Sequence, residues 1–290
     1  MSISDKFCDF CSNLRMSNNT VSTVRLRYHN ITKRLNKDFR GIENDTSYSL
    51  YVGSYGRGTA IHVSDIDILY ILPWHYFDQY DSHSGNGQSN LLQVVKRSIA
   101  KTYPNTEIGG DGQVVQVSFA DDVIFEVVPC FEYSDDSFCY PDTHNGGSWK
   151  TTNPRPEIST INTWNNITNK NFKRLCRMAR AWKDNCNVPM GGLLIDTFAY
   201  RFLSSWEYKD KSYLYYDWMT RDFFKFLSEQ DDNQSYWKAV GSGQLIYSKG
   251  KFVTKAKIAY NNALKAIERE EKGYEYSANS YWREIYGSRF

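Results

Sequence analysis

The chain has 290 residues, of which 41% are hydrophobic and 23% are charged, and its formal net charge is +2. This composition is typical of a globular protein with one large domain or two intimate ones. The small net charge excludes a histone-like or tail-driven nucleic-acid binder and leaves a local basic groove open. No stretch approaches the roughly 18 consecutive apolar residues of a transmembrane helix. The first residues also lack the basic and apolar regions of a signal peptide, so we expect a cytoplasmic protein without a membrane segment.

The six cysteines show no spacing typical of a disulfide framework, which agrees with a reducing compartment. Cys8 and Cys11 form a CxxC pair, but no second pair and no pair of histidines follows at the spacing of a zinc site. We therefore expect free thiols, and a structural metal at Cys8 and Cys11 is the less favoured alternative.

The first predicted element is a long helix over residues 18–39, "NNTVSTVRLRYHNITKRLNKDF", where apolar side chains recur at helical spacing behind an Asn/Thr cap. Short β-rich runs follow between residues 47 and 131: "SYSLYVGS", "SDIDILYILP", "GQVVQVSF" and "VIFEVVPCFE". The segment "NLLQVVKRSIAKTY" predicts a helix between the second and third runs. The Asp121-Asp122 pair predicts a tight hairpin between the last two runs.

The second half of the chain has helical periodicity in "NKNFKRLCRMARAWKDNC" and in "KGKFVTKAKIAYNNALKAIEREE". Two polar segments before it, "DQYDSHSGNGQSN" and "PDTHNGGSWKTTNPRPE", are long enough to indicate functional loops. The order of elements therefore predicts an α+β protein that begins with one long helix, continues with an α/β region and ends in a helical half.

Asp65 and Asp67 are two carboxylates inside the apolar run "SDIDILYILP". Side chains alternate along a strand, so both aspartates point to one face, roughly 6–7 Å apart, while Ile66 and Ile68 point to the core. Burying two unpaired carboxylates would cost several kcal/mol, and no lysine or arginine lies within the strand to neutralise them. A hard divalent cation such as Mg²⁺ fits this position best. The alternative is a solvated sheet face or a cap on a neighbouring helix.

Upstream of this strand, Gly53 and Ser54 open a glycine-rich loop that also contains Arg57. Glycines let backbone N–H groups approach a phosphate closely, and the hydroxyl and guanidinium add further donors. Glu126 interrupts the later strand "VIFEVVPCFE" as the aspartates interrupt theirs. If the two strands pair, Glu126 can complete a cluster of three acids. The alternatives are an edge-strand glutamate in water and Asp122 as the third acid.

The helix "NKNFKRLCRMARAWKDNC" is strongly basic, with Lys173, Arg177 and Arg180 along one side. A charged outer face in water is the ordinary interpretation of such a pattern. The arginines would also suit an anion such as a triphosphate, because a guanidinium binds phosphate oxygens through two parallel hydrogen bonds. Asp196, which follows "MGGLLI", either pairs with this helix, the interpretation that we favour, or contacts the edge of a base.

These motifs together resemble the polymerase β-like nucleotidyltransferase superfamily, whose signature is a hydrophobic residue, Gly, Gly or Ser, a short loop, Asp-hydrophobic-Asp and a third acid on a later strand. The matching residues are Val52-Gly53-Ser54, Asp65-Ile66-Asp67-Ile68 and Phe125-Glu126-Val127. Within the superfamily the chain looks most like the CD-NTases, the bacterial cyclic-oligonucleotide synthases of anti-phage (CBASS) signalling. The segments "FEVVPCF", "GGSWKTTNPRPE", "RLCRMARAW" and "GSGQLIYSKGKF" extend this likeness. One departure is the third acid, which is usually aspartate and here is Glu126.

The resemblance implies a polymerase β-like core over residues 1–160, with a mixed sheet and flanking helices. It also implies a helical lobe over residues 161–290 that forms the other wall of a nucleotide cleft, and a long N-terminal spine helix that bridges the two. The implied site consists of the catalytic metal ligands Asp65, Asp67 and Glu126 and of the phosphate-binding residues Gly53, Ser54, Arg177 and Arg180. The implied cofactor is a pair of Mg²⁺ ions, with Mn²⁺ as the alternative.

The implied activity is the synthesis of a cyclic di- or trinucleotide second messenger from NTPs, ATP among them, with release of pyrophosphate. The implied partners are an activating protein or RNA and a downstream effector that senses the product.

Two rival functions remain open. One is a terminal nucleotidyltransferase that acts on RNA, a protein or a small molecule. The other is a nucleotide sensor without turnover, which would have no need for the repulsion between Asp65 and Asp67.

Overall fold

The computed structural model describes residues 2–62 and 65–290. Its helices are α1 (Ile3–Asn13), α2 (Asn18–Arg40), α3 (Gly53–Gly56), α4 (His75–Asp81), α5 (Gly87–Ala100), α6 (Pro154–Ile167), α7 (Asn171–Asn185), α8 (Gly192–Ser205), α9 (Tyr216–Ser228), α10 (Val253–Glu271) and α11 (Glu275–Tyr286). Its strands are β1 (Ser49–Tyr51), β2 (Asp65–Ile71), β3 (Glu107–Asp111), β4 (Val114–Ser118), β5 (Ile124–Glu132), β6 (Phe138–Asp142), β7 (Ser148–Thr152), β8 (Tyr236–Lys238) and β9 (Leu245–Tyr247).

These elements divide into two compact units. We call residues 16–56 and 65–155 the sheet unit, and residues 2–15, 57–62 and 156–290 the helical unit. The division near residue 155 lies close to the predicted boundary at residue 160. Segments 2–15 and 57–62 differ from the prediction, because they group with the helical unit although they precede that boundary in the sequence.

The sheet unit is built on a mixed sheet in which neighbouring strands follow the order β1-β2-β5-β4-β3, and β6 joins β5 to β7. The central pair, β2 and β5, runs parallel, and the other described pairs of this sheet are antiparallel. Asp122 forms the β4–β5 hairpin with a φ of +63°, and the Phe119 N–H donates to the Val123 carbonyl over 3.0 Å. The predicted hairpin is therefore confirmed.

The core of the sheet unit follows from the alternation along β2. Ile66 and Ile68 are fully buried and belong to the same apolar cluster as Ile31 and Leu35 of α2. Helix α2 begins at Asn18, as predicted, but its cap is Ser17 and not an asparagine or threonine, since the Ser17 hydroxyl accepts a hydrogen bond from the Thr20 N–H. The predicted long helix, which is α2, the four predicted strands and α5 are thus confirmed, and the α+β fold class with them.

The helical unit has its own apolar core, which contains Trp182, Phe198, Trp237 and Trp282. Helices α7 and α10 match the predicted periodic segments. Helices α1, α6, α8, α9 and α11 were not predicted. All six cysteines are free thiols, as expected. Among the described residues, no helix has the length and apolar character that crossing a membrane requires.

Candidate active site

The predicted acidic residues come together on the central strands of the sheet. In the parallel pair β2–β5, Asp67 lies directly opposite Glu126, and Asp65 lies opposite Ile124. Residues in register on neighbouring strands point to the same face, so the Asp67 and Glu126 carboxyl groups are neighbours. Asp65 lies two positions earlier on the same face and is exposed. The pairing of strands on which the three-acid prediction depended is therefore confirmed.

The surroundings of Glu126 are electrostatically unfavourable for an ionised carboxyl group. Partial burial raises its pKa, and the negative charges of Asp67 and then Asp65 raise it further. Gln116, which lies opposite Glu126 on β4, donates a hydrogen bond that favours the ionised form, but its effect is smaller. The site thus concentrates negative charge, which a cation placed among the carboxylates would relieve.

Gly53 allows the turn before β2 to lie against Asp67. Its φ of +59° is left-handed, and a Cβ at this position would lie 1.7 Å from Asp67 Oδ2. The Val52 N–H donates to the Asp67 carbonyl over 2.9 Å, which fastens the start of α3 to β2. The predicted neighbour Ser54 is partly exposed, and its hydroxyl has no hydrogen-bond partner among the described residues. The turn therefore places a glycine backbone and a hydroxyl beside the carboxylates.

The three carboxylates form the kind of donor set that Mg²⁺ and Mn²⁺ prefer. Within the described ranges, no three Asp, Glu, His or Cys side chains are close enough to form a ready-made metal cage. Three observations support a cation at Asp65, Asp67 and Glu126. The side chains share one face of the sheet, negative charge raises the pKa of Glu126, and the turn at Gly53 packs against Asp67.

The glycine-rich loop contributes to a buried charge network in the helical unit. Asp196 is fully buried and accepts hydrogen bonds from Arg57 Nε at 2.9 Å, Arg180 Nη1 at 2.6 Å and the Thr59 hydroxyl at 3.0 Å. Glu157 adds a second buried carboxylate 3.5 Å from Arg57 Nη1. The arginine charges hold the pKa of Asp196 below its usual value, to about 2, against the effect of burial. Asp196 therefore pairs with the basic helix, as favoured.

Arg180 is placed differently from its predicted role. Its guanidinium is buried, donates twice to Asp196, and also donates to the carbonyls of Gly192 and Cys176. These bonds leave little of the guanidinium for a phosphate, so we assign Arg180 to positioning Asp196. The pairing of Arg180 with Asp196 connects α7 to α8. Sequence spacing alone does not indicate that Arg57 and Thr59 also donate hydrogen bonds to Asp196.

Arg177 remains available for an anion. It is half-buried on α7, and Nη2 donates to the Gly58 carbonyl over 2.8 Å. It forms no ion pair among the described residues. Burial lowers its pKa, and the neighbouring charge of Arg15 lowers it further. Lys173 lies one turn earlier and approaches Gly58 so closely that a Cβ there would be 2.8 Å from Nζ.

The chain has recognisable relatives in sequence and in structure. A sequence model of the Second Messenger Oligonucleotide or Dinucleotide Synthetase domain (SMODS) matches residues 1–165. No curated protein shows significant similarity to the chain. The E. coli MS115-1 CdnC, solved as a complex with HORMA-deltaN, superposes with a TM-score of 0.72 at 15% identity, covering 99% of this chain and 98% of that chain.

Two further structures have the same fold over nearly their whole length. The Bradyrhizobium diazoefficiens CD-NTase CdnG, solved with GTP, has a TM-score of 0.70 at 8% identity, covering 100% of this chain and 96% of that chain. The apo form of Vibrio cholerae DncV has a TM-score of 0.69 at 12% identity, covering 96% and 92% respectively. At these identities the superpositions establish the fold, and the sequence model establishes the family.

Proposed function

This chain belongs to the Second Messenger Oligonucleotide or Dinucleotide Synthetase family, and we propose that it links NTPs into a cyclic di- or trinucleotide with release of pyrophosphate. Its fold is that of the CD-NTases, within the polymerase β-like nucleotidyltransferase superfamily. The observation that carries the proposal is the register of Asp67 and Glu126 on neighbouring parallel strands, with the Gly53 turn packed against Asp67.

The proposed cofactor is a pair of Mg²⁺ ions, or Mn²⁺, held by Asp65, Asp67 and Glu126. When bound, such ions make a ribose hydroxyl more nucleophilic and neutralise charge on the attacked phosphate and the leaving pyrophosphate. Glu126 reaches further from its strand than an aspartate would, and it still supplies carboxylate oxygens. The crowding of negative charge around Glu126 supports this assignment, because it is costly unless a cation is present.

The chain's own groups would also bind the polyphosphate of an NTP. The Gly53 backbone and the Ser54 hydroxyl lie at the turn before β2, where they can donate hydrogen bonds to phosphate oxygens. Arg177 carries a positive charge that no described carboxylate neutralises, and we propose it as a further phosphate ligand. Arg180 would act indirectly, because it holds Asp196 and, through Asp196, the loop residues Arg57 and Thr59.

Radiolabelled NTPs test the proposal directly. We expect the purified protein with Mg²⁺ or Mn²⁺ to form a phosphatase-resistant product and pyrophosphate, and EDTA to abolish both. Asp67→Asn should reduce product by at least about 100-fold, because it removes a charge that the transition state needs. Asp78→Asn, which changes an exposed carboxylate of α4, is the matched control and should retain activity.

The rival functions give different results in the same assay. Product that forms only after RNA, another protein or a small-molecule acceptor is added would favour a terminal transferase. NTP binding that survives Asp67→Asn, with no product under any condition, would favour a sensor. Mass spectrometry of the product from all four NTPs would then give the bases and the ring size.

We further propose a role in anti-phage (CBASS) signalling in the cytoplasm, with ATP among the substrates. The similar CdnC was solved with HORMA-deltaN and the similar CdnG with GTP. By analogy, an activating protein or RNA and a product-sensing effector are the partners to seek. Co-purification of the chain with proteins encoded next to it, followed by the NTP assay with and without each one, would test this.

A further inference from the structure

The helical unit contains a cavity of about 320 Å³ at the end of α1 and along the first half of α7. The cavity is not lined by the strand carboxylates, which are Asp65, Asp67 and Glu126, nor by Gly53 or Ser54. Tyr213 forms part of its wall. Of the described residues that line the cavity, none is acidic and five are cationic: Arg15, Lys170, Lys173, Arg174 and Arg177.

None of these five cations has a carboxylate partner among the described residues. Lys173 Nζ donates to Asn162 Oδ1 over 2.6 Å, and Lys170 Nζ donates to Asn166 Oδ1 over 2.7 Å. Arg174 Nη1 donates weakly to neutral oxygens, including the Tyr216 hydroxyl at 3.4 Å. The amides and hydroxyls therefore orient the cationic groups without neutralising them. Arg57 and Arg180 in the same unit are, by contrast, fully paired with acids.

The concentration of positive charge makes the cavity electrostatically unfavourable. Burial, and then the charge of Arg177, lower the pKa of Lys173. Burial, and then the charge of Arg15, lower the pKa of Arg177. Like charges in a partly desolvated cavity repel one another more strongly than they would in water, and an anion placed among them removes this repulsion.

We propose that this basic cavity is a binding site for a polyphosphate group carrying three or more negative charges. Arginine supplies paired donors that match phosphate oxygens, and lysine supplies a mobile point charge, so the mixture suits several phosphates better than one carboxylate. A volume of about 320 Å³ lies at the small end of ligand pockets, which favours a small molecule over a nucleic-acid duplex. The polyphosphate belongs either to an NTP substrate or to a separate phosphorylated effector.

Calorimetric titration with inorganic tripolyphosphate in EDTA tests the site without any need for synthesis activity. We expect wild-type protein and Asp67→Asn to bind tripolyphosphate equally. Arg15→Glu and Lys170→Glu should each weaken binding by at least about tenfold, since a charge-assisted contact is replaced by repulsion. Both residues are exposed at the rim of the cavity, so the variants should fold. The matched control is Lys257→Glu, an exposed charge reversal on α10 outside the lining, which should change the dissociation constant less than about twofold.

Several results would overturn the proposal. If all three charge reversals weaken tripolyphosphate binding equally, the binding reflects the net charge of the protein and not the cavity. Binding that requires Mg²⁺ and is lost in Asp67→Asn would assign the anion to the strand carboxylates. Binding of duplex RNA that depends on Arg15 and Lys170, with no binding of tripolyphosphate, would replace the small ligand by a nucleic acid.

Turnover measurements distinguish the two sources of the polyphosphate, an NTP substrate and a separate effector. Tripolyphosphate that raises the KM for NTP without changing kcat, in the wild type but not in Lys170→Glu, would identify the cavity as a holder of the substrate's own triphosphate. A change in kcat at saturating NTP, abolished by Lys170→Glu, would identify a separate phosphorylated effector. If the protein makes no product at all, the calorimetric result still decides whether the cavity binds polyphosphate.

Discussion

Gly53 has room for a hydrogen atom but not for a methyl group, because the Asp67 carboxylate lies against its Cα. The positive φ and the close approach are two separate constraints on one residue. Gly41, which ends α2, has a similar φ of +67°, but no atom of the described residues lies within 4 Å of where a Cβ would be. The two glycines therefore separate the backbone effect from the contact with the carboxylate.

We expect Gly53→Ala to abolish most activity and Gly41→Ala to preserve it. Each substitution should lower the free energy of unfolding by roughly 1–2 kcal/mol through the strained φ. Only Gly53→Ala should displace Asp67, and a displacement near 1 Å at a catalytic group can cost about 100-fold in rate. Urea unfolding and the NTP assay measure the two effects. Full activity in Gly53→Ala would show that Asp67 need not stay where the structure places it.

The sequence predicted the shared face of the acidic residues because the signal for it is local. Asp65 and Asp67 share a face through the two-residue period of a strand, and Glu126 stands out by polarity within an apolar run. The network around Asp196 has no such signal, because Arg57 and Asp196 are 139 positions apart. Helical spacing placed Arg177 and Arg180 on one side of α7, but it could not show that a buried carboxylate pairs with Arg180.

At the scale of elements, α7 carries two kinds of cation. Arg180 on its buried face is neutralised by Asp196, whereas Lys173 and Arg177 line the basic cavity without acidic partners. One helix thus contributes both to the stability of the helical unit and to its capacity for anions. Amphipathic periodicity predicts the helix but does not distinguish these roles, because both sets of side chains read as charged.

Asp196→Ala should be strongly destabilising. Removing this carboxylate leaves Arg57 and Arg180 buried with too little negative charge, and breaking a buried pair in this way typically costs about 3–5 kcal/mol. Asp184→Ala is the control, since Asp184 lies 3.4 Å from Lys183 in an exposed pair and should contribute less than about 1 kcal/mol. The free energies of unfolding in urea give both values. A small change in Asp196→Ala would mean that solvent reaches the two arginines.

Helices α8 and α1 were missed by the sequence analysis for different reasons. Helix α8 is apolar on most of its surface, with Leu194, Ile195, Phe198 and Ala199 all buried, so no polar face marks its period. Helix α1 is short, and its start depends on a reciprocal cap between Ser2 and Asp5. Short β-rich runs between turn residues, by contrast, made β2 and β4 predictable from the residues alone.

At the scale of the whole molecule, one carboxyl group of the helical unit, Asp217, should contribute less to stability as the pH rises from acid towards neutrality. Burial raises the pKa of Asp217 from 3.8 to about 6. The folded state therefore holds this proton more tightly than the unfolded state does. The resulting stabilisation is complete below pH 3.8, decreases as the pH rises to about 6 and is absent above that.

Asp217→Asn should flatten this part of the pH profile, because the amide does not ionise. We expect the variant to be more stable than the wild type at pH 7 and to lose that advantage near pH 4, in urea unfolding at each pH. Mg²⁺ should not alter the difference, since Asp217 is not among the proposed metal ligands. Parallel profiles for the two proteins would contradict the prediction.

Because residues 57–62 belong to the helical unit, only some truncations and chimeras of this protein should fold. A fragment cut at residue 156 would keep Asp196, Glu157 and Arg180 but lose Arg57 and Thr59, which supply part of their hydrogen bonding, and would also lose α1. Chimeras that exchange C-terminal halves between homologues should therefore misfold unless the loop and the first helix are exchanged together with them.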